Sequence, residues 1–193
     1  MRVFVLFAHP VETSYVAALH RAVVESLTAA GHTVDDCDLY AEGFSPVMSR
    51  EERLDYHAIP ANRRNVQTYA DRLLAAEALV LVHPIWNFGQ SAILKGFVDR
   101  VFLPGVSFEM RDGRARPCLR NIRKLTAVVT YGGSRLRAFL VGDPPRKLVT
   151  RMLRVTVKPG APVRYLAHYD MNRSTPETRT RFLDRVRGEM AGF

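Results

Sequence analysis

Cysteine is nearly absent: Cys37 and Cys118 are the only two, far apart and outside any Cys-x-x-Cys or Cys/His cluster. A disulfide framework and a structural zinc site are therefore not expected, and a reducing compartment fits. No run of 18 apolar residues occurs, which excludes a membrane-spanning helix. The apolar opening at residues 3–8 is too short for a secretory core and ends at His9-Pro10, so a soluble, unprocessed, cytoplasmic protein is expected. Lysine is also scarce, only four of the 28 basic residues, and acidic residues thin out along the chain. Residues 1–110 carry 9 Lys and Arg against 13 Asp and Glu, whereas residues 111–193 carry 19 against 6, giving net charges of −4 and +13. A basic half of this kind is either a solvated face or a surface for anionic partners, with peripheral docking on a membrane as one such use. No aromatic RNA-binding motif and no DNA-reading helix accompanies it, so nucleic acid is not an expected partner.

What is present is apolar material in a regular rhythm. With 47% hydrophobic residues, the 193-residue chain suffices for one α/β domain, expected to span 1–193. Residues 2–8 form a continuous β-rich apolar run, as in a central parallel strand covered on both faces. Helical spacing follows at residues 14–30, closed by Gly31, and then a more polar strand at 33–39 suited to a sheet edge. Residues 40–60 read as an irregular excursion rich in turn residues. Further helices are expected at 65–76, 91–102, 145–153 and 176–190, the last with Thr175 as N-cap and Pro176 in the first turn. The remaining strands are expected at 78–83, 125–130 and 163–168. Strands alternating with helices imply a parallel sheet with right-handed crossovers. Five such strands point to a flavodoxin-like three-layer sandwich of order 2-1-3-4-5, which binds ligands at the carboxyl ends of its strands around the first and third.

Three loops follow strands at that place. The first contains His9, Thr13, Ser14 and Tyr15 and ends at a helix N-terminus, where open N–H groups and the helix dipole favour a phosphate. The same hydroxyl residues also make an ordinary N-cap. The second, residues 83–89, contains Pro84, Ile85, Trp86, Asn87 and Phe88, and is aromatic where surface loops are usually polar. Large rings beside one amide suit a flat heterocycle, although Trp86 and Phe88 serve equally as core plugs. In the third, Thr130, Tyr131, Gly132 and Gly133, paired glycines permit positive φ and close approach to a ligand; a tight turn explains them as well. Together the loops describe one ligand, with a phosphate at the first and a planar ring at the other two.

The stretch PIWNFGQSAILKGFVDRVF, residues 84–102, resembles the flavin-ring loop and following helix of the flavodoxin-like NAD(P)H:quinone oxidoreductase family of the DT-diaphorase type, which takes in azoreductase-like and transporter-associated quinone reductases. Residues 9–15, Asp38-Leu39-Tyr40, Phe44-Ser45-Pro46, Gly105-Val106-Ser107-Phe108, residues 130–133 and Ser174-Thr175-Pro176 support the resemblance. It implies FMN or FAD as bound cofactor, NADPH or NADH as hydride donor, a quinone-like acceptor and ping-pong turnover. It further implies that His9, Thr13, Ser14 and Tyr15 hold the phosphate tail, with Val16 beside them where many relatives carry a polar residue. Residues 84–88 would line the flavin ring and residues 130–133 its other edge. Relatives are typically homodimers, which implies that Phe108 and Met110 roof the partner's pocket. Mammalian relatives carry Tyr and His beyond the glycine pair, where this chain has Ser134-Arg135-Leu136-Arg137-Ala138, so no catalytic acid is assigned. The competing readings are a flavodoxin-type electron carrier and a flavin-binding accessory protein of a membrane transporter. A phosphoreceiver domain is excluded because His9-Pro10 replaces the acidic cluster it needs.

Overall fold

In a computed structural model describing residues 1–193, alternate residues of the first strand enter different cores. Strand β1 (Arg2–Phe7) sends Val3, Val5 and Phe7 to one side and Phe4 and Leu6 to the other, all buried. The period-two pleat thus divides one apolar run between two faces. Helix α1 (Tyr15–Ala29) covers the first face with Leu19, Val23 and Leu27, and β2 (Thr33–Asp38) pairs parallel to β1. On the second face lie α3 (Gln67–Ala75), preceded by the short α2 (Arg50–Leu54), and, after β3 (Ala78–Trp86) and β4 (Gly89–Gln90), helix α4 (Ala92–Val101). A hairpin follows, β5 (Phe108–Arg111) with β6 (Arg114–Pro117), then β7 (Lys124–Tyr131). The chain continues through α5 (Arg135–Leu140), α6 (Pro144–Lys147), a π-helical turn (Leu148–Leu153) and α7 (Arg154–Thr156). Strand β8 (Val163–His168) and α8 (Pro176–Ala191) complete it, with α8 packed beside α1 through Phe182, Val186 and Met190.

The parallel strands run in the order β2-β1-β3-β7-β8, which is 2-1-3-4-5 when they alone are counted. The flavodoxin-like α/β sandwich anticipated from the strand rhythm is therefore the architecture observed. β2 is the polar edge strand, and its Asp35 pairs with both Arg2 at 3.0 Å and Arg72 at 2.9 Å. No helix is long and apolar enough to cross a membrane.

Four features depart from the sequence expectations. β3 does not stop at His83 but runs to Trp86, and Asn87 and Phe88 (φ 49° and 54°) return it into β4 in a two-residue hairpin of the primed type. The 40–60 excursion holds α2, built on a capping box in which Ser49 and Glu52 exchange side-chain and backbone bonds. The β5–β6 hairpin turns at Asp112-Gly113, both at positive φ, between strands too charged to show alternation. α5 was not expected either; of its residues only Ala138 is buried.

Candidate functional site

The carboxyl ends of β1, β3 and β7 open into one cleft of about 550 Å³. Its first wall is the β1–α1 turn. Ser14 caps α1, accepting the Ala17 N–H on its hydroxyl at 3.1 Å, and its own N–H goes to the Val11 carbonyl. That leaves the N–H groups of Tyr15 and Val16 without an acceptor in the protein, at the positive end of a 15-residue helix. The Tyr15 hydroxyl is committed elsewhere: it donates to the Arg179 carbonyl at 2.7 Å, and burial, opposed by the Arg179 charge, pushes its pKa up to about 12. What Tyr15 offers the cleft is its backbone and ring.

His9 links this wall to the next. Its Nδ1 lies 3.0 Å from the Val11 N–H and 3.2 Å from the Val11 carbonyl, and partial burial, opposed by the bond to Val11, lowers its pKa. Its ring meets the Trp86 ring edge-on at 5.7 Å. Trp86 is 44% exposed, an unusual burden for the largest apolar side chain and one that leaves an aromatic face open at the cleft. Pro84 and Ile85 lie in the last stretch of β3, and Asn87 in the tight turn beyond it. The left-handed conformation at bulky Phe88 is strained, a cost the β3–β4 pairing sustains.

Thr130 and Gly132 form the third wall. The glycine pair does not use the conformation its sequence suggested, since neither Gly132 nor Gly133 is among the residues at positive φ. Neighbouring structure does not demand glycine either, since a Cβ on Gly132 would lie at an ordinary contact of 3.5 Å from the Asn172 amide and one on Gly133 at 3.7 Å from the Phe88 ring. Bare backbone there keeps the cleft floor low.

Ten of the fourteen residues expected around a cofactor line this cleft, namely His9, Ser14, Tyr15, Val16, Pro84, Ile85, Trp86, Asn87, Thr130 and Gly132. The other four lie apart from its surface. Thr13 is exposed before the cap, Phe88 packs partly into the main core, and Gly133 gives its carbonyl to the Asp170 N–H. Tyr131 turns inward, 1% exposed, and donates to Asp143 at 2.6 Å. Phe108 lines a separate depression with Tyr56, Phe102 and Met152, and Met110 is 50% exposed on the hairpin, so neither touches the cleft of its own chain. Met171 and Asn172, in the turn after β8, do line it. They follow the fifth parallel strand on the same edge of the sheet, a position the strand rhythm alone would have singled out.

Comparison with known proteins agrees with the fold. The family described as "Flavodoxin-like fold" matches residues 1–157. An uncharacterised NAD(P)H oxidoreductase of Haemophilus influenzae is 31% identical, over 69% of this chain and 66% of its own length. NAD(P)H dehydrogenase (quinone) 1 of Rattus norvegicus is 30% identical, over 68% of this chain and 54% of its own. The chain thus spans about half to two thirds of these curated relatives. Among solved structures, an NAD(P)H:quinone oxidoreductase from Methanothermobacter marburgensis superposes with a TM-score of 0.84 at 26% identity, covering 99% of this chain and 98% of that one. By sequence and by architecture alike, the chain belongs to the flavodoxin-like fold family, among relatives named as NAD(P)H oxidoreductases and quinone reductases.

Proposed function

We propose that this chain is a single flavin-binding domain, residues 1–193, that oxidises NAD(P)H and reduces a quinone-like acceptor in the cytoplasm. The observation that carries the reading is one cleft offering the open Tyr15 and Val16 N–H groups, the exposed Trp86 ring and the bare Gly132 floor. These suit a phosphate, a flat ring face and a ring edge, and the donor set fits FMN, or the FMN portion of FAD. When bound, the flavin supplies a two-electron relay between donor and acceptor.

The chain's own part is binding and orientation. The first turn of α1 would anchor the phosphate by its N–H groups and dipole. Trp86 and the β3–β4 turn would hold the flavin ring, and backbone N–H groups near Gly132 would stabilise negative charge on it. NAD(P)H and the acceptor would enter the same cleft in turn, which is ping-pong order. The balance is NAD(P)H, a proton and a quinone giving NAD(P)⁺ and a hydroquinone. No side chain in the cleft is assigned as the proton donor. A homodimer in which Phe108 and Met110 roof the partner's cleft completes the proposal.

The test is direct. The purified protein should be yellow or take up FMN or FAD, and should then oxidise NADPH or NADH steadily with menadione. Flavin binding without steady turnover on quinone, azo or nitro acceptors would make it an electron carrier instead. A colourless protein that refuses both flavins would overturn the reading.

A further inference from the structure

A second concavity, of about 340 Å³, lies beside the cleft, between α5, the turn at Gly142-Asp143, the helical segment that follows and Tyr169. Four cations line it: Arg135, Arg146, Lys147 and Arg151. None of them pairs with a carboxylate, whereas the chain's ion pairs elsewhere engage Arg2, Arg72, Arg100 and Arg123. Asp143, the one acidic residue of the wall, is already engaged, because the Tyr131 hydroxyl donates to it at 2.6 Å and Tyr165 lies 2.6 Å behind Tyr131. Burial pushes both phenols far up, so they stay protonated and keep that carboxylate hydrogen-bonded. Thr150 spends its proton on the Arg146 carbonyl at 2.8 Å, which leaves the cations and the Tyr169 hydroxyl as the donors. Phe139, 74% exposed, stands on the wall as an open aromatic face.

Position narrows what this site holds. Gly132, in the cleft wall, is three residues from Arg135, and Met171 is two from Tyr169, so the two concavities adjoin at the β7–β8 side. The flavin phosphate site lies at β1, with β3 between it and β7. The second concavity is therefore on the side away from the cofactor tail. A pyridine nucleotide whose ring enters the cleft has its adenosine end free to reach there. Its two bridging phosphates carry about one charge each, while a phosphomonoester carries about −1.5 to −2 at pH 7. Four unpaired cations around one depression suit the extra dianion, because guanidinium forks bind phosphate oxygens in bidentate fashion.

We infer that this pocket holds the 2′-phosphate of NADPH, with the adenine against Phe139, and so makes NADPH the preferred donor over NADH. The inference rests on the proposed oxidoreductase function and sharpens it. The four cations lie at the surface, so replacing two of them leaves the fold intact.

The experiment combines kinetics with binding on the flavin-loaded protein. The ratio of kcat/KM for NADPH to that for NADH is expected to exceed ten, and to fall at least tenfold in the Arg146→Ser, Arg151→Ser double variant. In calorimetric titration 2′-AMP should bind at least tenfold more tightly than 5′-AMP, and the double variant should erase the difference. Equal use of the two donors, or a ratio unchanged by the double variant, would overturn the inference while leaving the oxidoreductase in place. If neither donor is oxidised, the proposed function fails, and the titration still decides the pocket: equal binding of 2′-AMP and 5′-AMP refutes it.

Discussion

Gly96 of α4 lies so close to Pro46 that a β-carbon on the glycine would fall inside the Pro46 backbone. Glycine normally costs a helix interior about 1 kcal/mol relative to alanine. Here that trend reverses, because the obstacle is backbone and cannot rotate away. Gly96→Ala should destabilise by about 2 kcal/mol or more, the range of overpacked cores, and should show a lower denaturation midpoint at unchanged m-value. A variant as stable as the parent would mean that the segment around Pro46 yields freely.

Four residues along the same helix, Arg100 ties down the same segment. Only 8% exposed, it donates to the Ser45 carbonyl and to Glu52, and its guanidinium lies 5.3 Å from the Phe44 ring centroid. Burial alone would raise the Glu52 carboxyl, but the Arg100 hydrogen bond, the Ser49 N–H and the Arg100 charge hold it below its ordinary value. A depressed carboxyl contributes stability above its unfolded pKa, and the contribution is lost as pH falls through the folded one. Arg100→Met should cost about 3 kcal/mol at neutral pH by depriving the largely buried Glu52 carboxylate of its cation. Arg100→Met with Glu52→Met should recover most of that loss and flatten stability between pH 5 and 3. Full cost in the double variant would show that the pair serves packing rather than charge compensation.

These two positions explain why the architecture was legible. The stretch PIWNFGQSAILKGFVDRVF carries the resemblance, yet Gly96 and Arg100 within it face Pro46 and Glu52, so much of that signal records the packing that aims the β3–β4 turn. Strand order followed from apolar runs that are buried on both sides, a pattern readable one residue at a time. Side-chain direction was less readable. Tyr131 ends β7, the strand that opens on the cleft, yet its ring stacks on Tyr169 at 4.6 Å and its hydroxyl turns to Asp143, a partner twelve residues on. The β5–β6 hairpin announced itself only through Asp112-Gly113, because strands that bury nothing carry no alternation.

His83 gives the protein an acid-side sensitivity separate from its carboxylates. It is 1% exposed; its Nδ1 lies 3.0 Å from the Pro84 carbonyl, to which it donates, and Nε2 has no partner. Burial, only partly offset by the bond to Pro84, lowers its pKa to about 4. The unfolded chain takes up a proton near pH 6.5 and the folded chain does not, so stability falls as pH drops from about 6.5 toward 4. The full effect is about 3 kcal/mol, and the part above pH 5 precedes carboxylate titration. His168, also lowered by burial, adds a slope of the same sign. Urea unfolding at pH 7.5 and pH 5 should therefore show a smaller drop in His83→Asn than in the parent. An equal drop would assign the sensitivity to the other histidines.

Ser14 separates the two uses of the α1 N-terminus. As a cap it accepts the Ala17 N–H, a role aspartate fills equally well. As part of a phosphate site it stands beside the open N–H groups of Tyr15 and Val16, where a carboxylate would meet a phosphate dianion at close range. Ser14→Asp is thus expected to unfold at the parent's midpoint yet to bind FMN at least tenfold more weakly, as read by quenching of flavin fluorescence. Ser14→Ala should do the opposite, losing about 1 kcal/mol of stability while keeping most of its flavin affinity. Unchanged FMN affinity in Ser14→Asp would place the phosphate elsewhere and leave Ser14 as a cap alone.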